Sequence, residues 1–151
     1  MECYQIIQIT SENYDKCRNI WNMDKQPKAQ KWLNEIKAGD RLSYAYTVHD
    51  EFLGEGSLVL KTDDPQYAIP GVRVYLSRLV VKREYRNHGI GKTLVDYLCK
   101  RAKELGFSEI SIGVDQDNAV ALHIYRAKGF NQILYEGEDE YGPYYKLLKT
   151  L

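Results

Sequence analysis

The feature that most constrains this chain is a strand that runs into a glycine-rich turn and then into a long helix. Residues 72–81 form the most strand-like run of the sequence. Arg86-Asn87-His88-Gly89-Ile90-Gly91 follows, and from Ile90 apolar residues recur at Leu94, Leu98, Cys99, Ala102 and Leu105, up to Gly106. That recurrence marks one helix face, and a glycine just past it is a stop signal. A helix with one apolar face must bury it on another element, so this unit requires a layered fold. The other segments agree. Residues 6–9 predict a short strand, and Ser11 is placed to cap a helix carrying Tyr14, Cys17, Ile20 and Trp21. Pro27 in a first turn and Gly39 past an end bracket a second helix with Ala29, Trp32, Leu33 and Ile36 on its face. Leu42, Tyr44, Tyr46 and Val48 alternate as a strand, with a tight turn at Asp50-Glu51 into residues 52–60. Residues 62–71 are polar, hold two prolines and read as a loop. Ile110, Ile112 and Val114 predict a strand, Asn118 caps a helix ending at Gly129, and strands near 132–135 and 144–148 close the chain. Strands alternate with helices, but hairpins sit at both ends. The expectation is an α/β (α+β) fold: a central mixed, mostly antiparallel sheet of six or seven strands, with about four helices on its faces.

Two details of the central unit bear on binding. Val72, Val74 and Leu76 share one parity, whereas Leu79 and Val81 share the other. A strand buried on both faces would explain this, because parity then means little. A β-bulge near Ser77-Arg78 would also explain it, splay the strand from its neighbour and free backbone groups for a ligand. The turn is likewise open to two readings. Gly89 and Gly91 let backbone approach an anion at a helix start, with Arg86 and Lys92 adding charge; or they form a plain connection. The turn lacks the GxxxxGK-Ser/Thr phosphate loop, and Leu94 stands where a dinucleotide fingerprint needs a third glycine.

Composition narrows the partners. The 151 residues suit a single domain over 1–151, large enough to fold without metal or disulfide staples. Lysine plus arginine total 21 and aspartate plus glutamate total 21, so no broad basic face for nucleic acid is expected. The first residues carry neither a basic segment nor a long apolar run, and no window reaches a membrane span, so neither export nor membrane insertion is expected. Cys3, Cys17 and Cys99 match no zinc spacing and no disulfide framework. They read as reduced, packing thiols of a cytoplasmic protein, with no metal site.

The sequence from Leu79-Val80-Val81 through Arg86-x-x-Gly89-x-Gly91 resembles the acetyl-coenzyme A signature of the GNAT superfamily of N-acyltransferases. Asn118-Ala119-Val120-Ala121-Leu122-His123-Ile124-Tyr125, then Gly129-Phe130, is similar to that superfamily's second block. The resemblance covers nearly the whole chain and is densest over 72–130. It implies acetyl-coenzyme A as cosubstrate and a fold splayed at a bulged fourth strand. It places the pantetheine arm on the backbone of Leu79, Val80 and Val81. Arg86, Asn87, His88, Gly89, Ile90, Gly91 and Lys92 would hold the pyrophosphate, and Asn118 would also touch the cofactor. Tyr125 matches the tyrosine placed near the thioester sulfur.

The implied chemistry is direct attack of an amine on the acetyl carbonyl. An N–H of the bulged strand, that of Val81, would stabilise the oxyanion, and Tyr125 would protonate the departing thiolate. Helix-face packing on Leu122 is the alternative role for Tyr125. The base is open. Relatives place a glutamate where this chain has Gly113 or Arg73, and Glu55, Asp115 and Asp117 are stand-ins that also suit structural or solvated roles. Glu136-Gly137-Glu138-Asp139-Glu140 predicts an acidic loop that is either simply solvated or a rim for a cationic acceptor. Tyr141, Tyr144 and Tyr145 are candidate pocket residues, and His88 and His123 read as solvated helix residues. The expected partner is a small-molecule or peptide amine, and the protein a monomer or homodimer. The rival is a module that binds coenzyme A or a nucleotide without catalysis.

Overall fold

The structure is a computed structural model that describes residues 3–151. The chain forms two compact units. One runs up to Leu58 and takes in Arg78–Val95; the other comprises Val59–Ser77 and Asp96–Leu151. Among the described residues the strands form one mixed seven-stranded sheet, ordered β1-β2-β3-β4-β5-β7-β6, and the chain passes from one unit to the other within β4.

The first unit holds β1 (Gln5–Ile9), α1 (Ala29–Ala38), β2 (Arg41–Val48), β3 (Glu51–Val59), the end of β4 (Arg73–Val81) and the start of α2 (Ile90–Glu104). β1 pairs antiparallel with β2 from Gln5↔Thr47 to Ile9↔Ser43. Tyr46, Leu53, Ile90 and Leu94 form a buried cluster that Leu79 and Val81 join from β4. Three local expectations shift here. The helix expected after Ser11 is replaced by two short 3-10 turns, Tyr14–Asn19 and Met23–Lys25. The Asn13 side chain, not Ser11, accepts the Thr10 N–H at 2.7 Å, and Asn19 Nδ2 donates to the Phe52 carbonyl at 2.7 Å. Those side-chain bonds, one local and one tertiary, outweigh helical spacing over so short a stretch. α1 starts at Ala29, with Pro27 in the turn before it, while Gly39 closes it at φ 80° as expected. The β2–β3 turn is at His49 and Asp50, with φ of 50° and 63°, one residue earlier than expected. Two left-handed residues match the twist of a two-residue hairpin.

The second unit holds the start of β4, the rest of α2, β5 (Glu109–Asp115), α3 (Ala119–Ala127), β6 (Gln132–Asp139) and β7 (Gly142–Thr150). β4 pairs parallel with β5 from Arg73↔Glu109 to Leu76↔Ile112, and β5 pairs antiparallel with β7. Val74, Leu76, Leu98, Ile110, Ile112, Phe130 and Leu147 are fully buried. The acidic stretch is not the expected loop. Glu136, Gly137, Glu138 and Asp139 belong to β6 and pair with Tyr145, Tyr144, Pro143 and Gly142. β6 is the edge strand, where outward charges are tolerated and block further pairing.

The phase slip of β4 is real. Arg78 sits at φ 58°, and the β5 register ends at Leu76, two residues earlier. A left-handed residue inside a strand reverses the alternation that follows it, as a bulge does. Cys17 and Cys99 are buried free thiols as expected, but Cys3 is exposed and packs no core. Among the described residues, no helix is long and apolar enough to cross a membrane.

Candidate active site

In the first unit the bulge is built from the side that faces away from Leu79 and Val81. The Arg78 guanidinium lies 3.8 Å from the Trp32 ring centroid and 4.8 Å from that of Trp21. Its Nη2 is 3.8 Å from Glu55 Oε1, which also accepts the Trp21 indole N–H. A left-handed non-glycine residue costs roughly 1–2 kcal/mol. Cation–π contacts with two indoles are of the size needed to offset it. Glu55 is 3% exposed, and burial pushes its pKa up against the opposing pull of Arg78 and Trp21. This carboxylate is enclosed and structural. The other stand-in bases, Asp115 and Asp117, are exposed; Arg73, which occupies a position where relatives carry a glutamate, is tied to Glu109 at 3.1 Å.

Beyond the bulge, the Lys82 N–H donates to the Leu53 carbonyl at 2.8 Å. Neighbouring N–H groups alternate in direction along a strand, so that of Val81 points away from β3. A short 3-10 turn, Arg83–Tyr85, leads into the glycine-rich segment. Arg86 Nε donates to the Val81 carbonyl at 3.1 Å, while Asn87 and Gly89 take φ of 65° and 84°. Residues 83–89 are exposed and Ile90 is buried, so the helix start is anchored while the turn stays open. The Thr93 N–H reaches back to the Gly89 carbonyl at 3.1 Å. The N–H groups before Thr93 belong to the first turn and have no intrahelical acceptor. His88 lies in this turn and not on a helix surface; with Tyr85, Glu84 and His49 it lines a groove of about 520 Å³. Gly54 on β3 was not foreseen. A Cβ there would lie 2.9 Å from Ile90 Cγ2 and 3.3 Å from the Val80 carbonyl oxygen, so it lets α2 seat on the sheet. The pair Gly54 and Gly56 within one strand pattern was the available signal.

The second unit contains a pocket of about 480 Å³ whose wall includes Tyr67, Tyr75, Gly113, Asn118, Tyr125 and Tyr144. Tyr125 is 8% exposed, and its ring packs edge-on against Phe130 at 6.0 Å. Burial, with a smaller contribution from Tyr75, pushes its pKa up to about 12. The Asn118 side chain accepts the Ala121 N–H at 3.1 Å and caps α3. Lys146 Nζ bonds Asp64 at 2.6 Å and Gln66 at 2.7 Å, and lies 4.8 Å from the Tyr67 ring centroid. Asp115 and Asp139 also line the pocket. Of the acidic β6 stretch only Asp139 reaches it; Glu136 accepts from Gln116 Nε2 at 3.0 Å. Tyr141 is 79% exposed and His123 is also exposed. Tyr67, Tyr75 and Lys146 were not foreseen. Tyr67 lies in a polar segment without periodicity, and Lys146 gains its place only through the register of β7.

Residues 4–130 match the model of the acetyltransferase (GNAT) family. N-alpha-acetyltransferase 30 of Saccharomyces cerevisiae is 32% identical over 75 residues, 50% of this chain and 42% of that protein. The chain spans less than half the length of the curated relatives it matches. Among solved structures, the ribosomal-protein-S18-alanine N-acetyltransferase of Escherichia coli superimposes with a TM-score of 0.77 at 15% identity, over 98% of this chain and 94% of that one. The aminoglycoside 6'-N-acetyltransferase of Enterococcus faecium does so with 0.74 at 20% identity, over 97% and 96%.

Proposed function

Because the chain belongs to the acetyltransferase (GNAT) family, we infer that it is an N-acetyltransferase, moving an acetyl group from acetyl-coenzyme A to a primary amine by direct attack. The observation that carries this reading is Tyr125: a nearly buried phenol on a polar pocket, with a pKa pushed up to about 12. Such a group keeps its proton at neutral pH and can donate a hydrogen bond to the departing thiolate; with a thiol pKa near 8.5 net transfer is uphill by about 3–4 units, and the proton released by the acetylated amine restores the phenol.

Acetyl-coenzyme A supplies the activated acetyl thioester. The open turn fits its pyrophosphate: a Cβ added at Gly89 would meet nothing within 4 Å, and Arg86 and Lys92 stand at its two ends. We assign the pyrophosphate to Arg86, Asn87, His88, Gly89, Ile90, Gly91 and Lys92, and the pantetheine arm to the backbone of Leu79, Val80 and Val81. The Val81 N–H, turned away from β3, is the assigned oxyanion donor. Asn118 is assigned to the cofactor through its backbone, because its side chain is used in capping α3.

The acceptor is assigned to the pocket of the second unit. Asp64, Asp115 and Asp139 outnumber Lys146 on its wall, which favours a cationic amine. An amine of pKa near 10.4 must lose a proton at a cost of roughly 4–5 kcal/mol at pH 7. With Glu55 enclosed, water beside Asp115 or Asp139 takes that proton. The neighbouring structures carry the names of enzymes for peptide and aminoglycoside amines, so both acceptor kinds belong in the test. The test is thiol release from acetyl-coenzyme A across linear polyamines, aminoglycosides and peptides. Amine-dependent release supports the reading. A rise in melting temperature with coenzyme A but no release with any amine would instead make the chain a binding module.

A further inference from the structure

Gly113 lies in β5, paired with Lys146 of β7. It is not among the residues with positive φ, so its backbone does not call for glycine. What excludes a side chain is Tyr67. A Cβ at Gly113 would run into the Tyr67 hydroxyl, while the next atom, Tyr67 Cζ, would be 3.4 Å away, an ordinary contact. The phenol of one segment therefore occupies the volume that a β5 side chain would fill.

Tyr67 is held there firmly, although its segment reads as a loop. Ser111 Oγ donates to the Tyr67 carbonyl, and the Tyr67 N–H donates to the Asp64 carbonyl at 3.1 Å. Lys146 grips Asp64 and Gln66 on one side. Arg73 Nη1 donates to the Gln66 carbonyl at 2.9 Å on the other. The Tyr67 ring stacks on Tyr75 with centroids 4.1 Å apart and planes 24° from parallel. Loops clamped this way over a pocket are usually functional.

We propose that Tyr67 is the acceptor-specificity residue: its phenol narrows the pocket above Gly113 so that a slender, unbranched cationic alkylamine enters and a branched or ring amine does not. This rests on reading the pocket as the acceptor site. The tyrosine faces and Asp115 and Asp139 receive the ammonium end of such a chain.

The test is steady-state acetylation of a linear diamine and of an aminocyclitol at saturating acetyl-coenzyme A. It uses wild type, Tyr67→Ala, Gly113→Ala, Tyr67→Phe and the Gly113→Ala/Tyr67→Phe double variant, with the melting temperature of each. Tyr67→Ala is expected to shift the kcat/KM ratio toward the aminocyclitol by about tenfold or more through acceptor KM, with acetyl-coenzyme A KM within about twofold. Gly113→Ala raises the linear-amine KM and lowers the melting temperature. Tyr67→Phe in that background restores both, because removing the hydroxyl removes the clash. An unchanged ratio in a folded Tyr67→Ala, or a Gly113→Ala variant that Tyr67→Phe does not rescue, overturns the proposal while leaving the activity reading intact. A folded wild type that acetylates neither amine but does acetylate a peptide also overturns it. No acetylation of any amine overturns the acceptor reading itself.

Discussion

The acid role proposed for Tyr125 comes with a stability signature. Its pKa is about 12 in the folded protein and near 10 in the unfolded chain. Below pH 10 both states hold the proton and no difference arises. Between pH 10 and 12 the unfolded chain loses it first, so stability falls as pH rises through that window. The Tyr125 share is about 2–3 kcal/mol, and a Tyr125→Phe variant should lack it. Comparing denaturant unfolding of the two proteins at pH 9 and pH 11.5 checks this. The same variant should lower kcat by about 10²–10⁴-fold with coenzyme A affinity little changed. Equal turnover would remove the acid role. Tyr125 was legible only through the family resemblance; its helical register after the Asn118 cap, taken alone, suits packing on Leu122 equally well. Tyr67 was not, because nothing in a polar segment says that its ring will be clamped over a glycine of β5, with β4 and α2 between them in the chain.

At the scale of elements, β4 is the best-read part of the chain and also the part whose cause was hidden. The parity change between Leu76 and Leu79 left a bulge and a doubly buried strand both open, and the family resemblance favoured the bulge. The Arg78, Glu55, Trp21 and Trp32 cluster that holds it has members from distant segments and no spacing to read. Arg78→Ala keeps the left-handed backbone, removes the cation–π contacts and leaves the buried Glu55 with the Trp21 N–H but without its guanidinium partner, and should cost about 2–4 kcal/mol. Arg78→Gly loses the same contacts but accepts φ 58° freely, so it should be milder by about 1 kcal/mol. Urea denaturation of the pair tests this order. The turn after β4 offers a parallel case. Gly89→Ala meets no atom but must hold φ 84°, at a cost of about 1 kcal/mol, and a turn that relaxes to avoid it misaims its N–H groups. Calorimetric titration should find weaker coenzyme A binding; unchanged affinity would make the turn a plain connection. The first helix failed in prediction for a physical reason too: side-chain bonds from Asn13 and Asn19 fold that stretch into 3-10 turns.

At the scale of the molecule, a net charge of zero conceals a division of labour. The first unit carries Lys82, Arg83, Arg86 and Lys92 around the turn, with Glu84 the one acid among residues 82–92. The second carries an acid-rich pocket. On the proposed reading, an anionic cosubstrate and a cationic acceptor would each meet a surface of opposite charge. The strand and helix order was legible because periodicity and glycine stops survive averaging over a segment. The pocket proposed for the acceptor was not, because it is made by register: Gly113 beside Lys146, with Tyr67 above. The most direct measurement is mass-spectrometric detection of N-acetylated product, with matching thiol release, after incubating the protein with acetyl-coenzyme A and a panel of linear polyamines, aminoglycosides and peptides. The account predicts an acetylated primary amine, formed far more slowly by Tyr125→Phe. Coenzyme A binding with no acetylated product from any acceptor would contradict it.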